Sequence, residues 1–327
     1  MDQGSTQGGQ HAGRTGDRAG PGMHAALAWG FARRALHLLR RLPLVGPPLA
    51  RATLIHRYRR ATGLTPRFDP PVTFNDRILH RMLYDHDPYL KVINDKLAMR
   101  EVVARLAGPA FVVPLLGVWD DPDRIDWDSL PERFVLKSNH ASGRFAMVRN
   151  PAERDPAALA AKARAWLASD YFDTALEWGY RGLPRRLLAE PLLLGPDGGA
   201  PAELQVFTFG GKAEFCRMQT GEKGKGGRSD TSYDLAGNRI DLRIGMRRCE
   251  VVPRREDIAL AVAAAERVSA GLVQLRVDFY LTADGLRIGE LTSYHRAGLT
   301  RWEPPEWNAR LGAIWGAAEA RSAPDDR

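Results

Sequence analysis

Two strand-like runs near the C-terminal end alternate apolar residues with polar or charged ones. Residues 274–280 are Gln-Leu-Arg-Val-Asp-Phe-Tyr, and residues 286–292 are Leu-Arg-Ile-Gly-Glu-Leu-Thr. Turn-forming residues lie between them at 283–285, so the pattern predicts a β-hairpin. Each strand carries one carboxylate, Asp278 or Glu290, and a carboxylate is costly to bury without a partner.

The register of this hairpin decides whether the two carboxylates meet. A two-residue Asp284-Gly285 turn would place Asp278 opposite Leu291, with Glu290 on the other face. A three-residue loop, Ala283-Asp284-Gly285 with Gly285 at positive φ, pairs Asp278 with Glu290 and separates the polar from the apolar face. We favour this register, and adjacent carboxylates predict a divalent cation with oxygen ligands. An ordinary hairpin in which Asp278 pairs with Arg276 or another cation is the open alternative.

The other apolar patterns predict helices and strands in mixed order, which indicates an α+β fold. Strands are predicted at 111–119, 134–138, 145–148, 186–194, 204–209 and 214–218. Helices are predicted from 73, with Thr73 as the N-cap, from Tyr89 to about Leu106, and over 155–169, 255–271 and 305–320. Residues 219–232 are rich in Gly, Lys and Ser and predict a mobile loop, which is either a solvated linker or a lid.

The first 72 residues have a different composition from the rest. Residues 1–22 are rich in Gly, Gln, Ser and Thr and are predicted to be disordered. Residues 23–42 predict a basic amphipathic helix, and residues 51–72 a basic and then proline-rich connector. The charges in this helix exclude a membrane-spanning segment and a secretory signal. The helix lies either on the inner membrane surface or against the protein body or a partner.

The net charge of +8 is concentrated at this end. Residues 1–60 contain ten arginines, no lysine and two acidic residues, whereas residues 61–327 are balanced. A balanced body argues against a nucleic-acid partner. Cys216 and Cys249 are far apart in the sequence, which indicates reduced thiols and a cytoplasmic protein, peripheral on the inner membrane face if the helix binds there.

A short predicted strand ends in Lys137 and leads into a loop of small residues at 139–143. Loop amides and a lysine can bind phosphate, although a plain hairpin with an exposed lysine fits the same pattern. The loop lacks the spacing of a P-loop. Lys96 and Lys137 precede the carboxylates Asp278 and Glu290. Two lysines before two metal-type carboxylates suggest a nucleoside triphosphate bound with Mg²⁺.

Taken in order, these motifs resemble the ATP-grasp superfamily, most closely its TupA-like (teichuronopeptide biosynthesis) branch. The matching stretches are Thr73–Asp76, Asp95–Arg100, Pro114–Asp120, Phe134–Gly143, Leu188–Glu190, Arg276–Tyr280 and Gly289–Thr292. The resemblance implies two α+β lobes that clasp a nucleotide, with a basic N-terminal helical extension. The implied parts are a disordered tail at 1–22, the helix and connector at 23–72, an N-terminal helical region at 73–130, lobe A at 131–200, and lobe B with a C-terminal helix at 201–327.

The resemblance also implies ATP and Mg²⁺ as cofactors and a role for each matching residue. Lys96 and Lys137 would contact the nucleotide phosphates, beneath a loop that includes Ser142 and Gly143. Glu190 would lie at the adenine hinge, and Glu203 would bind the ribose hydroxyls. The implied metal ligands are Asp278, Glu290 and Thr292. The implied catalytic residues are Arg276, which would neutralise the phosphate or acyl phosphate, and Lys137.

Two stretches depart from the pattern of the branch. Gln205 occupies a position where the branch has lysine, and the missing charge could come from Lys212, Lys223, Lys225 or Arg228. Ser293-Tyr294-His295 replaces Phe-Tyr-Pro. These differences indicate a different acceptor or a weakened enzyme. His140 is expected to be a hydrogen-bonding loop residue rather than a phosphate contact, and His295 is a candidate base.

The implied function is an ATP- and Mg²⁺-dependent carboxylate–amine ligase that acts through an acyl phosphate in the biosynthesis of a cell-surface polysaccharide or teichuronopeptide-type polymer. Its substrates would be a small-molecule or glycan-linked carboxylate and an amine, which the sequence does not name. Two alternatives are open: an ATP-grasp kinase that phosphorylates a hydroxyl, and a non-catalytic scaffold in polysaccharide assembly.

Overall fold

The computed structural model describes residues 45–221, 227–245 and 247–322. Residues from Ala50 onward form one compact unit. The predicted tail at 1–22 and the amphipathic helix at 23–42 lie outside the described residues, so both stay predictions. Within the described ranges, no helix combines the length and the apolar character needed to cross a membrane.

Helix α1, Gly46–Thr62, includes the first part of the segment predicted as a connector at 51–72. Its two prolines lie in the first turn, where the backbone needs no intrahelical donor, so they begin the helix rather than prevent it. Helix α2, Phe74–Tyr84, begins as predicted: Thr73 Oγ1 accepts from Asp76 N at 3.2 Å, and Asp76 Oδ2 accepts from Thr73 N at 3.0 Å.

The single helix predicted from Tyr89 to Leu106 is two helices, α3 (Tyr89–Asn94) and α4 (Ala98–Leu106). Asp95 causes the break, because its side chain accepts from Leu97 N at 2.8 Å and from Asn139 Nδ2 at 3.0 Å. Such local side-chain bonds compete with the helix. The break directs Lys96 to the loop at 139–143, where Lys96 Nζ donates to Ala141 O at 2.6 Å.

A four-stranded antiparallel sheet follows, with strand order β1-β4-β2-β3. Its strands are β1 (Gly117–Trp119), β2 (Phe134–Ser138), β3 (Phe145–Val148) and β4 (Leu187–Pro191). Helices α5 (Pro156–Leu167) and α6 (Tyr171–Ala175) separate β3 from β4. The strands lie where they were predicted, but β1 is shorter than the apolar run 111–119, because residues 109–111 form a 3₁₀ turn.

A seven-stranded sheet contains the predicted hairpin at its edge, in the order β11-β10-β5-β6-β7-β8, with β9 paired to β7. Its strands are β5 (Ala202–Phe209), β6 (Lys212–Thr220), β7 (Ser229–Tyr233), β8 (Arg239–Ile240), β9 (Arg247–Arg248), β10 (Gln274–Thr282) and β11 (Gly285–Thr292). Because β6 and β7 extend into the segment predicted as a loop at 219–232, that loop is shorter than expected. Cys216 and Cys249 are buried free thiols, as predicted.

Helices cover both faces of this sheet. Helix α7, Arg255–Val268, packs on one face against Leu204 and Val206, and α8, Glu306–Ser322, packs with α2 on the other against Phe207 and Phe209. This split follows from the strand period of two. On the face of Phe207, the apolar residues give way to polar ones toward one end of the strands, and the candidate site lies there.

Candidate active site

Polar side chains cross the large sheet in rows that the strand register fixes. One row joins Glu290, Asp278, Gln205 and Arg217 across four strands. The next row joins Tyr280, Glu203 and Gln219, and the row on the other side pairs Thr292 with Arg276. These rows form the floor of a cavity of about 310 Å³.

The hairpin has the predicted register from Arg276 to Asp278, but from Phe279 onward the pairing is shifted by one residue and the predicted three-residue loop is wrong. Asp278 pairs with Glu290, whereas Thr282 pairs with Gly285, which leaves only Ala283 and Asp284 in the turn. The odd residue is Gly289, which forms a β-bulge between Glu290 and Ile288. The bulge shifts the register by one residue and so brings Glu290 opposite Asp278.

Glycine is required at the bulge because Tyr280 covers it. A Cβ at position 289 would lie 2.2 Å from Tyr280 Cε2, which is far inside normal contact. The Tyr280 ring therefore packs directly on the backbone beside Glu290. It lines the large cavity and also a second cavity described below.

Arg276 and Asp278 form a buried bidentate ion pair. The sequence left this pairing open as the alternative to a metal site. Arg276 Nε donates to Asp278 Oδ1 at 2.6 Å, and Nη2 donates to Oδ2 at 2.5 Å. Nη2 also donates to Thr292 Oγ1 at 3.1 Å, and Nη1 contacts His295 Nδ1. Burial raises the pKa of the Asp278 carboxyl, and the Arg276 guanidinium opposes that rise.

The donor set fits Mg²⁺ only together with phosphate. Among the described residues, no three His, Cys, Asp or Glu side chains cluster closely enough to hold a metal by themselves. Asp278 and Glu290 are two adjacent carboxylates, and the Thr292 hydroxyl lines the same cavity. Mg²⁺ usually takes one or two carboxylates and completes its coordination with phosphate oxygens and water. Asp278 would have to share its carboxylate with Arg276.

A second cavity of about 140 Å³ adjoins the first. The two cavities share Glu203, Tyr280 and Glu290. The apolar wall of the second cavity includes Val135, Phe145, Met147, Leu192 and Leu193. The predicted nucleotide-binding residues on its wall are Lys96, Lys137, Gly143, Glu190 and Glu203, whereas the predicted Ser142 lines the first cavity. An apolar pocket that opens onto polar groups is typical of nucleotide sites.

Both predicted phosphate-binding lysines have partners within the protein. Lys137 Nζ contacts Glu190, whose other oxygen accepts from Arg100 Nη1 at 3.0 Å. Lys96 Nζ is bound to Ala141 O. Glu190 is buried between two cations, a geometry that compensates its lost hydration. A phosphate would therefore have to compete for the lysines.

Two arginines lie beside Gln205 and Glu203 in the larger cavity, near the position where the branch has a lysine. Arg217 donates to Gln205 Oε1 from Nε at 3.1 Å and from Nη2 at 2.5 Å. Arg228 donates to Glu203 Oε2 at 3.1 Å and lines the large cavity. Of the other proposed replacements, Lys212 pairs with Glu266 at an exposed position, and Lys223 and Lys225 lie outside the described residues.

The segment that departs from the branch pattern forms a support for the site. Ser293 is buried, and Asn94 Nδ2 donates to its hydroxyl at 2.7 Å. Tyr294 lines the cavity, and its hydroxyl accepts from Gly179 N at 2.9 Å. His295 is fully buried behind Arg276 and does not line the cavity, so the interpretation as a base is wrong. Its environment lowers its pKa well below the usual value, first by burial and then through Arg276.

His140 is a hydrogen-bonding loop residue, as expected. Its Nδ1 lies 3.3 Å from Asn139 Oδ1, and its Nε2 lies 3.2 Å from Trp166 O. It is buried and lies outside both cavity walls.

Sequence reasoning missed several residues of the cavity. Arg217 is a charged residue within an apolar strand, the same signal that identified Asp278. Arg296 lies in a strained loop, where it and Ala297 have φ values of 47° and 52°. Glu177 comes from a short segment after α6 that shows no motif. Besides Tyr280, three more tyrosines line the cavity, namely Tyr171, Tyr180 and Tyr294.

The profile of the TupA-like ATPgrasp family matches residues 76–315, which is most of the chain. None of the curated proteins matches the sequence at a significant level. Among solved structures, the chain is 16% identical to the ATP-grasp ligase PsnB complexed with a minimal precursor, over 72% of this chain and 63% of that one, with a TM-score of 0.38. The chain thus covers less than two thirds of the length of PsnB.

Two further structures show a similar level of likeness. D-cycloserine synthetase DcsG is 16% identical over 72% of each chain, with a TM-score of 0.43. The D-alanine–D-alanine ligase from Bacillus anthracis is 12% identical over 71% of this chain and 69% of that one, with a TM-score of 0.42.

Proposed function

The chain belongs to the TupA-like ATP-grasp family, and from this premise we propose that it is an ATP- and Mg²⁺-dependent ligase that joins a carboxylate to an amine. The observation that carries the proposal is the junction of the two cavities at Glu203, Tyr280 and Glu290. A nucleotide whose base lies in the smaller cavity reaches this junction with its phosphates, beside the Asp278–Glu290 pair. The larger cavity then remains for the other substrates.

The residues at the junction suit phosphoryl transfer, which depends mainly on positioning and charge neutralisation. Asp278, Glu290 and Thr292 would hold Mg²⁺, which when bound neutralises phosphate charge. Arg276 lies against Asp278 and Thr292, and its guanidinium would neutralise the phosphate or acyl phosphate. Lys96 and Lys137 would exchange their present partners for phosphate oxygens.

The second half-reaction takes place in the larger cavity. The amine nitrogen attacks the carbonyl carbon of the acyl phosphate, the C–N bond forms, and the C–O bond to phosphate breaks. Phosphate leaves with the bonding electron pair, and the nitrogen gives up one proton to the departing phosphate. No protein nucleophile is required, and the enzyme contributes orientation and electrostatic stabilisation.

We place this reaction in the cytoplasm, in the biosynthesis of a cell-surface polysaccharide of the teichuronopeptide type. The membership of the TupA-like branch supports this assignment. The carboxylate and the amine would be small molecules or groups on a growing glycan. The basic segment 23–42 would hold the enzyme at the inner membrane face, beside lipid-linked intermediates.

The test is Mg²⁺-dependent release of ADP from ATP, measured over a panel of carboxylates with hydroxylamine as the amine. Hydroxylamine traps an acyl phosphate as a hydroxamate. Asp278→Asn and Glu290→Gln should each lower turnover at least about 100-fold, and chelation of Mg²⁺ should abolish it. Glu132→Gln, at an exposed position, should change nothing.

Three results would contradict the proposal. Unchanged turnover in both carboxylate variants would contradict the assignment of Asp278 and Glu290 to the active site. ADP release with hydroxyl acceptors, but without hydroxamate, would indicate a kinase. Failure of the wild type to bind AMP-PNP with Mg²⁺ in calorimetry would indicate a scaffold.

A further inference from the structure

Glu177 is a buried carboxylate in the wall of the larger cavity. Its residue is 7% exposed, and it precedes a 3₁₀ turn at Trp178–Tyr180. Within the described part of the chain, no backbone or side-chain group donates a hydrogen bond to its carboxylate. Buried carboxylates are normally hydrogen-bonded or ion-paired, because the lost hydration must be replaced. Because Glu177 lines the cavity, a donor that enters from outside can bond to this carboxylate.

The two cations whose charges act on Glu177 are Arg57 and Lys96, and both are engaged with backbone carbonyls. Arg57 Nη2 donates to Thr174 O at 2.7 Å, and Lys96 Nζ donates to Ala141 O at 2.6 Å. Their charges act on Glu177 only at a distance. Burial and then Glu290 raise the pKa of Glu177 to about 8, and Arg57 and Lys96 oppose this rise less strongly. A carboxylate in this environment gains from a cation placed beside it.

Three tyrosines give the same part of the cavity a cation-binding character. The rings of Tyr171 and Tyr180 meet edge to face, with centroids 4.8 Å apart. The Tyr294 hydroxyl accepts from Gly179 N, which holds this ring near the Glu177 segment. Aromatic rings attract cations through their negative faces, and an ionised carboxylate attracts N–H donors. The combination of a carboxylate and aromatic rings matches an ammonium group.

We propose that Glu177 is the amine-binding residue, whose carboxylate receives the N–H groups of a primary ammonium substrate in the larger cavity. This inference rests on the proposed ligase function and names the chemical class of its second substrate. Glu177 lines the same cavity as the Asp278–Glu290 pair, so an ammonium group bound to it lies in the cavity where the acyl phosphate forms. Glu177 then determines which nucleophile the enzyme accepts.

In the test, ethylammonium chloride is titrated into the full-length protein saturated with AMP-PNP and Mg²⁺, and binding is measured by calorimetry. At a pH of about 8.5, ethylammonium is charged and the Glu177 carboxyl is mostly ionised. Glu177→Gln should weaken ethylammonium binding at least about tenfold, because a charge-assisted hydrogen bond is lost. Glu132→Gln is the matched control and should bind within about twofold of wild type.

A comparison on the wild type alone avoids any folding defect of the variant. Tetramethylammonium has the same charge but no N–H donor, so it should bind at least about tenfold more weakly than ethylammonium. Equal binding of the two cations would overturn the proposal. So would equal ethylammonium affinity in wild type and Glu177→Gln, or no binding to wild type up to about 100 mM. If AMP-PNP binding is normal, each of these outcomes contradicts only the role of Glu177 and leaves the ligase proposal intact. If wild type does not bind AMP-PNP, the ligase proposal itself is contradicted.

Discussion

Replacement of Gly289 by alanine should disturb the candidate site through a single contact. The added Cβ would lie 2.2 Å from Tyr280 Cε2 and 2.9 Å from its Cδ2. Carbon atoms in contact are about 3.5–4.0 Å apart, so the ring or the strand must move by about 1.3 Å or more. Tyr280 lines both cavities, so this movement reaches the nucleotide wall.

The cost at this position comes from the contact and not from the backbone. Gly289 is not among the residues with positive φ, so alanine is allowed there conformationally. Overpacking of a well-packed position typically costs about 1–3 kcal/mol. Gly285 in the same hairpin is the matched control: its φ is +97°, and an added Cβ there has nothing within 4 Å. Gly285→Ala should therefore cost about 1–2 kcal/mol through backbone strain alone.

Urea unfolding and calorimetric titration with AMP-PNP and Mg²⁺ measure the two effects separately. Both variants should lose free energy of unfolding, but only Gly289→Ala should lose nucleotide affinity, by about tenfold or more. Tyr280→Ala removes the obstacle, so the double variant Gly289→Ala/Tyr280→Ala should show a coupling energy of about 0.5–3 kcal/mol. If Gly289→Ala matches wild type within about 0.5 kcal/mol and binds AMP-PNP equally well, the packing argument is refuted.

Three further predictions concern the support of the site. Arg276→Met should lower the free energy of unfolding by about 3–5 kcal/mol, because Asp278 loses its buried partner; Arg276→Met/Asp278→Leu should recover most of this loss, and urea unfolding that shows no recovery would contradict the ion-pair argument. Ser293→Ala should cost about 1–3 kcal/mol by the same measurement, since the Asn94 amide loses a buried partner; a change near zero would mean that another group compensates. The pKa of Glu177 is about 8 in the folded state and about 4.3 in the unfolded chain. Between these values the folded state keeps a proton that the unfolded chain releases. The free energy of unfolding should therefore fall between about pH 5 and 8, by up to about 1.4 kcal/mol per pH unit. Glu177→Gln should flatten this profile, and parallel profiles of the two proteins would contradict it.

The sequence determined the strands of the site and which face their carboxylates share. Alternation of period two is a local property, so Asp278 and Glu290 could be assigned to one face before the fold was known. The strand that carries Lys137 and the helix N-cap at Thr73 were also predictable from local sequence. Each depends on residues within one short segment.

The tertiary structure decided how the carboxylates meet and what surrounds them. The turn proved even in length, and the register depends on Gly289, whose role requires the Tyr280 ring packed against it. Glu177 and Arg296 enter the cavity from loops whose paths depend on long-range packing, which no local pattern encodes. Strand periodicity is set by adjacent residues, whereas the wall of the larger cavity is set by which distant segments pack together. For that reason the sequence indicated the carboxylates of the floor but not the residues, such as Glu177 and Arg296, that enter the larger cavity from loops.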